Sequence, residues 1–477
     1  MITLHNTLTG NQDEFTPQSE EKVTLYTCGP TVYSEPLIGN WVAYLRWDTL
    51  VRTLKANDYT VERVMNITDV GHLVSDADDG EDKMEKGAKR EGITAWEVAA
   101  RYTDSFLAGM KSLNLLPPEH LTKATDFIPE QIALVQTLEA KGYTYIIDDG
   151  VYFDTSKFPS YADFAHLDLE GLKAGARIDT NDQKRAPQDF ALWKFSPANE
   201  KRDMEWESPW GTGFPGWHIE CSAMAMKLLG DTLDIHTGGI DHIPVHHTNE
   251  IAQSEAATGK QFSRFWLHNN HLKVNGTKIS KSLGNGYTLA DLHDKGYDPM
   301  DFRMLLLQSH YRTEGNFTWD NLDAAKNRLS HWREIAVLRW QIHDTLNDDS
   351  EKDSHDTSAK LLAASHAALE ALNNDLNTPE ALRIIEEAFT LLENTNLEQV
   401  QHSALVTLLA FIDDVLGLQL QANTPDISDD HKARILARER ARDGKNWGES
   451  DTIRDELKDQ GIGLNDRTSG ARWYYIS

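Results

Sequence analysis

Residues 22–68, KVTLYTCGPTVYSEPLIGNWVAYLRWDTLVRTLKANDYTVERVMNIT, decide the fold of this chain. The segments KVTLYTC (22–28) and TVERVMNIT (60–68) are short and apolar, which predicts two strands. The longer segment between them, NWVAYLRWDTLVRTLKAND (40–58), predicts a helix. A strand, a helix and a second strand form a βαβ unit with a right-handed crossover. The first 345 residues continue to alternate in this way, so we expect an α/β protein with a parallel sheet.

Composition places the chain among globular proteins of several domains. It has 477 residues, of which 40% are hydrophobic and 26% charged. No apolar run approaches the ~20 residues of a membrane span, and the N-terminus lacks signal-peptide features, so we expect a cytoplasmic protein without membrane contact. Its two cysteines should be thiols, either buried apolar residues or metal ligands.

Charge and polarity indicate where the chain divides. The net charge of -28 argues against broad nonspecific binding of nucleic acid. Residues 347–360 and 421–430 are polar and acidic, which predicts linkers, and residues 361–420 have the pattern of a helical bundle. Residues 431–445, HKARILARERARDGK, hold six Lys or Arg. This run is either a local nucleic-acid patch or a solvated helix face with ion pairs.

The first cysteine, Cys28, follows the first strand directly and precedes the turn EPLIGN. Ligands of parallel sheets bind beyond the carboxyl ends of the strands. Gly39 permits close approach to the backbone, and Asn40 opens the helix, whose N–H groups suit a phosphate. Taken alone, LIGN is a weak signal, and an ordinary turn glycine is the favoured interpretation.

The second cysteine lies in GFPGWHIECSAMAMKLLG (213–230), shortly before DIHTGGIDHIPVHHTNEIAQSEAATGK (234–260). Both segments predict helix starts, with Pro244 in the first turn of the second helix. His246 and Glu250 then lie one turn apart on the same face, while His247 points roughly 100° away.

Two thiols, an imidazole and a carboxylate match the ligands of a tetrahedral zinc site, although buried thiols and a hydrogen-bonded histidine explain the residues equally well. The other histidines of these segments are interpreted as hydrogen-bonding residues: His218, His236, His242 and His247.

A third signal is NGTKISKSLGN (275–285), a loop bounded by glycines. Lys278 and Lys281 lie three residues apart in it. Flexible ammonium groups of this kind suit the charge that builds on a leaving pyrophosphate. A solvated loop is the alternative interpretation.

Together these motifs, in the order CGPTVY, LIGN, NITDVGH, GWHIECSAM, GGIDHIPVHHTNE and KISKSLGN, closely resemble a bacterial-type cysteinyl-tRNA synthetase, a class I aminoacyl-tRNA synthetase. The likeness continues through residues 316–329, 376–382 and 450–464 and so spans essentially the whole chain. An ordered set of motifs is far more specific than any one of them.

The resemblance implies a Rossmann-like catalytic domain with a parallel sheet, followed by helical domains and a small C-terminal anticodon-binding domain. The implied parts are a catalytic first half (1–125), a connecting insertion (126–205), a catalytic second half (206–290), a stem-contact region (291–346), a helical bundle (347–425) and the anticodon-binding domain (426–477).

The resemblance also implies the activity: ATP activates L-cysteine as cysteinyl-adenylate, and the cysteinyl group passes to tRNA(Cys). By position, Cys28, Cys221, His246 and Glu250 match the family's zinc ligands, with one Zn²⁺ per chain. Zinc that accepts the substrate thiolate would reject serine without an editing domain. Mg²⁺ accompanies the ATP, and we expect a monomer.

Further residues match family positions in the pocket. Thr68 and Trp217 match positions that shape the amino-acid pocket, although a core aromatic is the alternative for Trp217. Asn40, Lys278 and Lys281 match the catalytic positions. The full set that matches the ATP site is Leu37, Ile38, Gly39, Asn40, Gly239, Asp241, Lys278, Ser280 and Lys281.

One departure matters, because the family signature HIGH or HIGN reads LIGN here. Leu37 cannot donate a hydrogen bond to a phosphate, and loss of one transition-state donor typically costs ~10²–10³ in rate, so we expect a slow enzyme. His72, His242 or His247 is a possible substitute donor. KISKS differs from KMSKS only by an apolar exchange.

Two alternatives remain at this stage. One is a related ligase that joins cysteine to an aminosugar-inositol, and the other is a catalytically impaired paralogue that binds zinc and tRNA. The basic run and the aromatic end ARWYYIS favour tRNA, because aromatic side chains stack on unpaired bases. Packing of Trp473 and Tyr474 in their own domain is the competing explanation.

Overall fold

A computed structural model describes residues 1–71, 82–168, 183–197, 202–280, 283–341, 355–467 and 470–476. The chain forms two compact units, Met1–Leu292 with Tyr311–Asn316 and His293–His310 with Phe317–Ser477. The finer division into six parts stays a prediction. In the part of the chain that the structure describes, no helix combines the length and the apolar character needed to cross a membrane.

The elements alternate between strand and helix at first and become mainly helical later. The strands are β1 Thr3–Asn6, β2 Asn11–Glu14, β3 Lys22–Thr27, β4 Thr60–Ile67, β5 His120–Lys123, β6 Thr144–Ile147, β7 Gly150–Phe153, β8 Phe190–Phe195, β9 Gly213–Pro215, β10 Leu233–Gly239, β11 Ser263–Asn269, β12 Leu272–Val274, β13 Thr277–Lys278, β14 Gly315–Phe317, β15 Ile462–Arg467 and β16 Gly470–Tyr475. The helices are α1 Ile38–Ala56, α2 Lys83–Glu91, α3 Ala95–Ser112, α4 Ile128–Ala140, α5 Trp217–Leu229, α6 Thr248–Thr258, α7 Leu289–Asp294, α8 Pro299–Leu307, α9 Trp319–Ala336, α10 His355–Asn373, α11 Thr378–Glu393, α12 His402–Leu416, α13 Asp429–Asp443 and α14 Trp447–Asp459.

The central sheet of the first unit is parallel. Among the described residues its strand order is β11-β10-β3-β4-β5, and every pairing is parallel. Helix α1 connects β3 to β4, as the βαβ pattern predicts. The carboxyl ends of β3, β4 and β10 lie at the same edge of the sheet, and the loops that follow them can therefore converge. The predicted α/β class is confirmed.

Large aromatic residues of α1 are buried, and one of them packs against α3. Trp41 and Trp47 are buried, and Trp41 stacks on Phe106 of α3 with ring centroids 5.1 Å apart. Gly109 makes this contact possible, because a Cβ at that position would lie 2.4 Å from the Trp41 ring. The first turn of α1 is thereby packed closely against α3.

An antiparallel sheet of order β6-β7-β8-β9 belongs to the same unit. It follows α4 and leads directly into α5, since β9 ends at Pro215 and α5 begins at Trp217. Its core is aromatic, with Phe153 and Phe190 stacked at 5.0 Å. The sheet therefore positions the start of the helix that carries Cys221.

The second unit is mainly helical, and α10, α11 and α12 confirm the predicted bundle. The interpretation of residues 347–360 as a linker is wrong for 355–360, which belong to α10; residues 347–354 lie outside the described part. Residues 421–430 are not a linker either. Thr424 is buried and accepts hydrogen bonds from the Arg339 guanidinium at its hydroxyl (2.8 Å) and its carbonyl oxygen (2.6 Å), and α13 begins at Asp429.

Helices α13 and α14 and the hairpin β15–β16 form the end of the chain. Trp473 is only 5% exposed and packs with Ile435, Leu457 and Ile462. Gln341 accepts a hydrogen bond from the Trp473 N–H at 2.9 Å. The packing explanation for Trp473 is therefore the right one.

Candidate active site

The two cysteines lie at the carboxyl edge of the parallel sheet. Cys28 directly follows β3, and its N–H donates to the Thr237 carbonyl oxygen on β10 at 3.3 Å. Cys221 lies in the middle of α5, one turn after Trp217. Both thiols are buried. Sequence-distant cysteines are thus brought to one place by strand order and by the start of α5.

The histidine pair lies on an irregular turn that leads into α6. Residues Ile243–His247 form a π-helical turn, which contains Pro244. His246 Nε2 lies 3.8 Å from Glu250 Oε1, so the predicted common face is observed. His247 Nε2 lies 3.7 Å from Glu250 Oε2, and side chains three residues apart are neighbours on a helix surface. The expectation that His247 points away is therefore wrong, because its spacing from Glu250 also brings it to that carboxylate.

Two groups of metal-ligating side chains share Cys28. In the first, ligand atoms of Cys28, Cys221 and His246 all lie within 4.8 Å of one another. In the second, the same limit holds for Cys28, His236, His247 and Glu250.

All four residues predicted as zinc ligands occur in these groups. Their assignment as ligands stays a prediction, and His236 and His247 have positions equally close to Cys28. In the sequence, the adjacent histidines HH (246–247) were the feature that could have indicated His247 as a further candidate ligand.

Burial governs the charge of this cluster. It raises the pKa of the Cys28 thiol well above its usual value, with further contributions from Cys221 and Glu250. Burial and the surrounding imidazoles lower the pKa of His247 well below its usual value, so this ring is neutral at pH 7. A bound divalent cation would favour the thiolates and would also leave the imidazoles neutral. Without a metal, the Cys28 thiol and the His247 ring are therefore both neutral at pH 7.

Outer contacts orient the histidine rings. His218 Nδ1 and His246 Nδ1 are 2.9 Å apart, and His247 Nδ1 and His268 Nε2 are 2.7 Å apart. Each contact engages Nδ1 of the inner ring and leaves its Nε2 on the side of Glu250. Metal-binding histidines are held in this way, by a hydrogen bond at the other ring nitrogen. The hydrogen-bonding interpretation of His218 agrees with this geometry.

The donor set fits a zinc ion. Both oxygens of Glu250 are buried, and neither accepts a hydrogen bond from a residue that the structure describes. His236 Nε2 lies 3.1 Å from Oε2 but without the alignment of a hydrogen bond. A buried carboxylate without donors is costly unless a cation is nearby. Thiols, imidazole and carboxylate together are ligands that zinc accepts.

The predicted pocket residues flank this cluster. Thr68 follows β4, and its hydroxyl donates to Glu220 Oε2 at 3.2 Å. Trp217 is half-buried, and its ring centroid lies 4.7 Å from that of His246. Lys83 Nζ lies 5.6 Å from the centroid of the Trp217 ring. Trp217 is thus a wall residue beside the metal cluster rather than part of the hydrophobic core.

The LIGN turn begins α1 and contacts the segment that contains KISKS. Asn40 Oδ1 accepts from the Leu37 N–H at 2.9 Å, and the Tyr287 carbonyl oxygen accepts from the Ile38 N–H at 2.8 Å. These two N–H groups are therefore occupied within the protein and do not serve a phosphate. A Cβ at Gly39 would lie 2.9 Å from Ile279 Cδ1, the end of a flexible side chain that can shift, so Gly39 marks a close approach of the two segments.

The remaining predicted nucleotide residues lie on neighbouring loops. Lys278 is exposed at the end of β13, and the Ser280 N–H donates to Asn285 Oδ1 at 2.8 Å. Gly239 ends β10, and Asp241 is exposed in the short turn that follows. Lys281, like the possible donor His72, lies outside the described residues.

Solved structures share this fold. The Mycobacterium tuberculosis methionyl-tRNA synthetase in complex with methionyl-adenylate has a TM-score of 0.61 at 16% identity, over 84% of this chain and 93% of that chain. The Agrobacterium radiobacter LeuRS in ternary complex with tRNA and LeuAMS gives 0.60 at 13% identity, over 87% and 86%. A family model described as "tRNA synthetases class I (C) catalytic domain" matches residues 14–327. The fold and the site therefore define a class I tRNA synthetase.

Curated relatives are similar over nearly their whole length. Cysteine--tRNA ligase 1 of Burkholderia lata is 45% identical over 477 residues, which cover 99% of this chain and 97% of the relative. Cysteine--tRNA ligase of Treponema denticola is 42% identical over 494 residues, with 99% of both covered. The chain belongs to the cysteine--tRNA ligase family and is an enzyme. The predicted family is confirmed, and these comparisons give no support to the aminosugar-inositol ligase.

Proposed function

We propose that this enzyme joins L-cysteine to tRNA(Cys) with ATP, as a monomer in the cytoplasm. The observation that carries the proposal is the buried group of thiol, imidazole and carboxylate ligands at the carboxyl edge of a parallel sheet. Parallel sheets bind nucleotides at this edge. In this proposal, one pocket contains both the metal ligands that select the amino acid and the site that binds ATP.

One zinc ion per chain is held by Cys28, Cys221, His246 and Glu250. This set includes both thiols, whereas the other group around Cys28 contains only one. Zinc favours the set with more sulfur ligands. His236 would then contact the Glu250 carboxylate, and His247 would contact the Cys28 thiol, without binding the metal themselves. Residues in such positions orient the ligands of a metal. When bound, zinc supplies a borderline-soft Lewis acid that accepts the thiolate of cysteine but not the hydroxyl of serine, so no editing site is required.

ATP binds between the LIGN turn and the KISKS segment. Leu37, Ile38, Gly39 and Asn40 provide a surface that a nucleotide can approach closely, and Gly39 already lies against Ile279. The exposed carboxylate of Asp241, beside Gly239, suits the ribose hydroxyls. The phosphates, with Mg²⁺, are contacted by Lys278, Ser280 and Lys281.

The chain's own residues act by position and charge. The substrate carboxylate attacks the α-phosphorus of ATP, and the bond to pyrophosphate breaks. Lys278 and Lys281 neutralise the charge that develops on the leaving pyrophosphate. A terminal ribose hydroxyl of the tRNA then attacks the activated carbonyl, and AMP leaves. Leu37 makes no polar contact with ATP, so the first step should be slower than in a HIGH enzyme.

The tRNA is read by the C-terminal part of the second unit. Trp447 is 56% exposed at the start of α14, and the Arg442 guanidinium lies 5.7 Å from its ring centroid. An exposed aromatic ring beside a cation suits a stacked, unpaired base. Arg440 and Lys445 are exposed and suit the phosphate backbone.

Other cations of the basic run have a structural role. Arg438 forms two hydrogen bonds to Asp466, at 2.6 and 2.8 Å, and Arg434 pairs with Glu456. The ion-paired explanation of the basic run therefore holds for these two residues, and also for Lys432 with Asp426 and Arg442 with Asp466. The tRNA surface that we propose is smaller than the sequence run.

Cysteine-dependent exchange of labelled pyrophosphate into ATP, followed by charging of tRNA(Cys), tests the proposal. Exchange with charging is the expected result. Exchange without charging would point to another acceptor for the cysteinyl group. Absence of both reactions in zinc-loaded protein would indicate a noncatalytic zinc and tRNA-binding paralogue.

A further inference from the structure

A chain of buried hydrogen bonds connects the two cysteine segments. The Gly29 N–H donates to Asn66 Oδ1 at 2.8 Å, Asn66 Nδ2 donates to Thr68 Oγ1 at 2.9 Å, and the Thr68 hydroxyl donates to Glu220 Oε2 at 3.2 Å. Gly29 follows Cys28 in the sequence, and Glu220 precedes Cys221. The side chains of Asn66, Thr68 and Glu220 are all buried. We call this the 66–68–220 chain.

The direction of the 66–68–220 chain follows from its first bond. A backbone N–H only donates, so the amide oxygen of Asn66 must face Gly29 and its NH₂ group must face Thr68. The Thr68 oxygen thus accepts from Asn66, and its proton points to the carboxylate of Glu220, which accepts. Each group has the only orientation that satisfies its neighbours. Such a chain fixes the distance between its ends as well as their orientation.

The segments meet closely at the Gly29 end. A Cβ on Gly29 would lie 1.6 Å from the Asn66 carbonyl oxygen. The backbone after Cys28 is therefore pressed against the end of β4, its neighbour in the sheet. At the other end, Glu220 belongs to α5 and immediately precedes the second thiol. The end of β4 thus holds both cysteine segments at once.

We infer that Asn66, Thr68 and Glu220 are positioning residues that set the separation of the Cys28 and Cys221 thiols for the metal. This inference rests on the zinc site of the proposed function. A metal site requires ligand atoms placed within about 0.2 Å of their ideal distances, so a group that fixes the separation of two ligands affects metal affinity. The family resemblance gives Thr68 a different role, as a residue that shapes the amino-acid pocket, and the two roles predict different results.

Thr68→Val separates the two roles, because it keeps the shape of the side chain and removes the hydroxyl. We expect an apparent zinc dissociation constant about 10-fold higher than that of the wild type, measured by chelator competition without substrate. The thiolate-to-metal absorption of the cobalt-substituted protein should also change. Thr68→Ser should restore both. Zinc affinity and cobalt spectrum equal to the wild type, with a raised KM for cysteine, would overturn the inference and assign Thr68 to the substrate.

Two further variants guard against a loss of fold. Thr53→Val is the matched control, since Thr53 is buried and, among the described residues, its hydroxyl bonds only within α1, to the Thr49 carbonyl oxygen at 2.8 Å; its zinc affinity should equal the wild type. Glu220→Gln should weaken zinc binding, and the double variant with Thr68→Val should be no weaker than Thr68→Val alone. Additive losses would contradict a shared chain.

Measurements on the wild-type protein distinguish failure of the inference from failure of the proposed function. If it binds zinc and catalyses cysteine-dependent exchange while Thr68→Val binds zinc equally well, the inference fails and the proposed function stands. If the wild type binds no zinc, the proposed zinc site and the inference fail together.

Discussion

Glu250→Gln should have opposite effects on the metal-free and the zinc-loaded protein. In the metal-free form, the substitution removes a buried negative charge that accepts no hydrogen bond from the described residues. Relief of that desolvation should raise the free energy of unfolding by about 1–3 kcal/mol. In the loaded form, the substitution removes a charged ligand and should weaken zinc binding by about 10- to 100-fold.

The size of the effect on the loaded form follows from mass action. At free zinc equal to about 100 times the wild-type dissociation constant, zinc stabilises the wild type by about 2.7 kcal/mol. For a variant that binds about 10- to 100-fold more weakly, the same zinc concentration contributes only about 1.4 to 0.4 kcal/mol. Zinc should therefore raise the unfolding midpoint of the wild type much more than that of Glu250→Gln, and cysteine affinity should fall together with zinc occupancy.

The assay compares thermal unfolding of chelator-treated and zinc-loaded protein, with zinc content measured in parallel. Glu255→Gln is a matched control on the same helix, since its carboxylate accepts from the Phe262 N–H at 3.1 Å and belongs to neither metal group. The control should show the full stabilisation by zinc. Unchanged zinc content in Glu250→Gln, or a metal-free variant less stable than the metal-free wild type, would refute the reasoning.

Three other changes test separate parts of the structure. Burial raises the pKa of Asp69 to about 6, from 3.8. The stability that Asp69 contributes is therefore present below pH 3.8 and is lost as the pH rises through 6. The free energy of unfolding should fall by up to about 3 kcal/mol less between pH 4 and pH 7 in Asp69→Asn than in the wild type. Gly29→Ala, whose new Cβ would lie 1.6 Å from a carbonyl oxygen, should lose about 3 kcal/mol of stability, whereas Gly448→Ala, with nothing within 4 Å, should gain about 0.5–1 kcal/mol in denaturant titrations. Asp466→Ala removes the carboxylate that pairs with both the buried Arg438 and Arg442, so the guanidinium beside Trp447 loses its fixed position. The KM for tRNA should rise about tenfold without an effect on pyrophosphate exchange, and an equal loss in both assays would contradict separate roles.

The sequence was sufficient for the parallel sheet and for the neighbourhood of the metal cluster. Local pattern determines β3, α1 and β4, and strand ends converge because all pairings are parallel. The spacing of His246 and Glu250 also follows from one turn of helix. These features depend on residues close together in the sequence or on the topology that they fix.

What the sequence did not reveal depends on contacts between distant residues. Residues 421–430 are polar, yet Thr424 is buried because Arg339 donates to it. Likewise, Arg438 resembles a nucleic-acid contact until Asp466, far along the chain, is seen to bind it.

Zinc K-edge X-ray absorption of the purified protein, with and without L-cysteine, tests the central claim that a metal held by Cys28 and Cys221 recognises the substrate sulfur. The free protein should show two sulfur ligands at about 2.3 Å. Addition of L-cysteine should bring a third sulfur ligand, and L-serine should change nothing. Absence of zinc, or a sulfur count that L-cysteine leaves unchanged, would contradict the account.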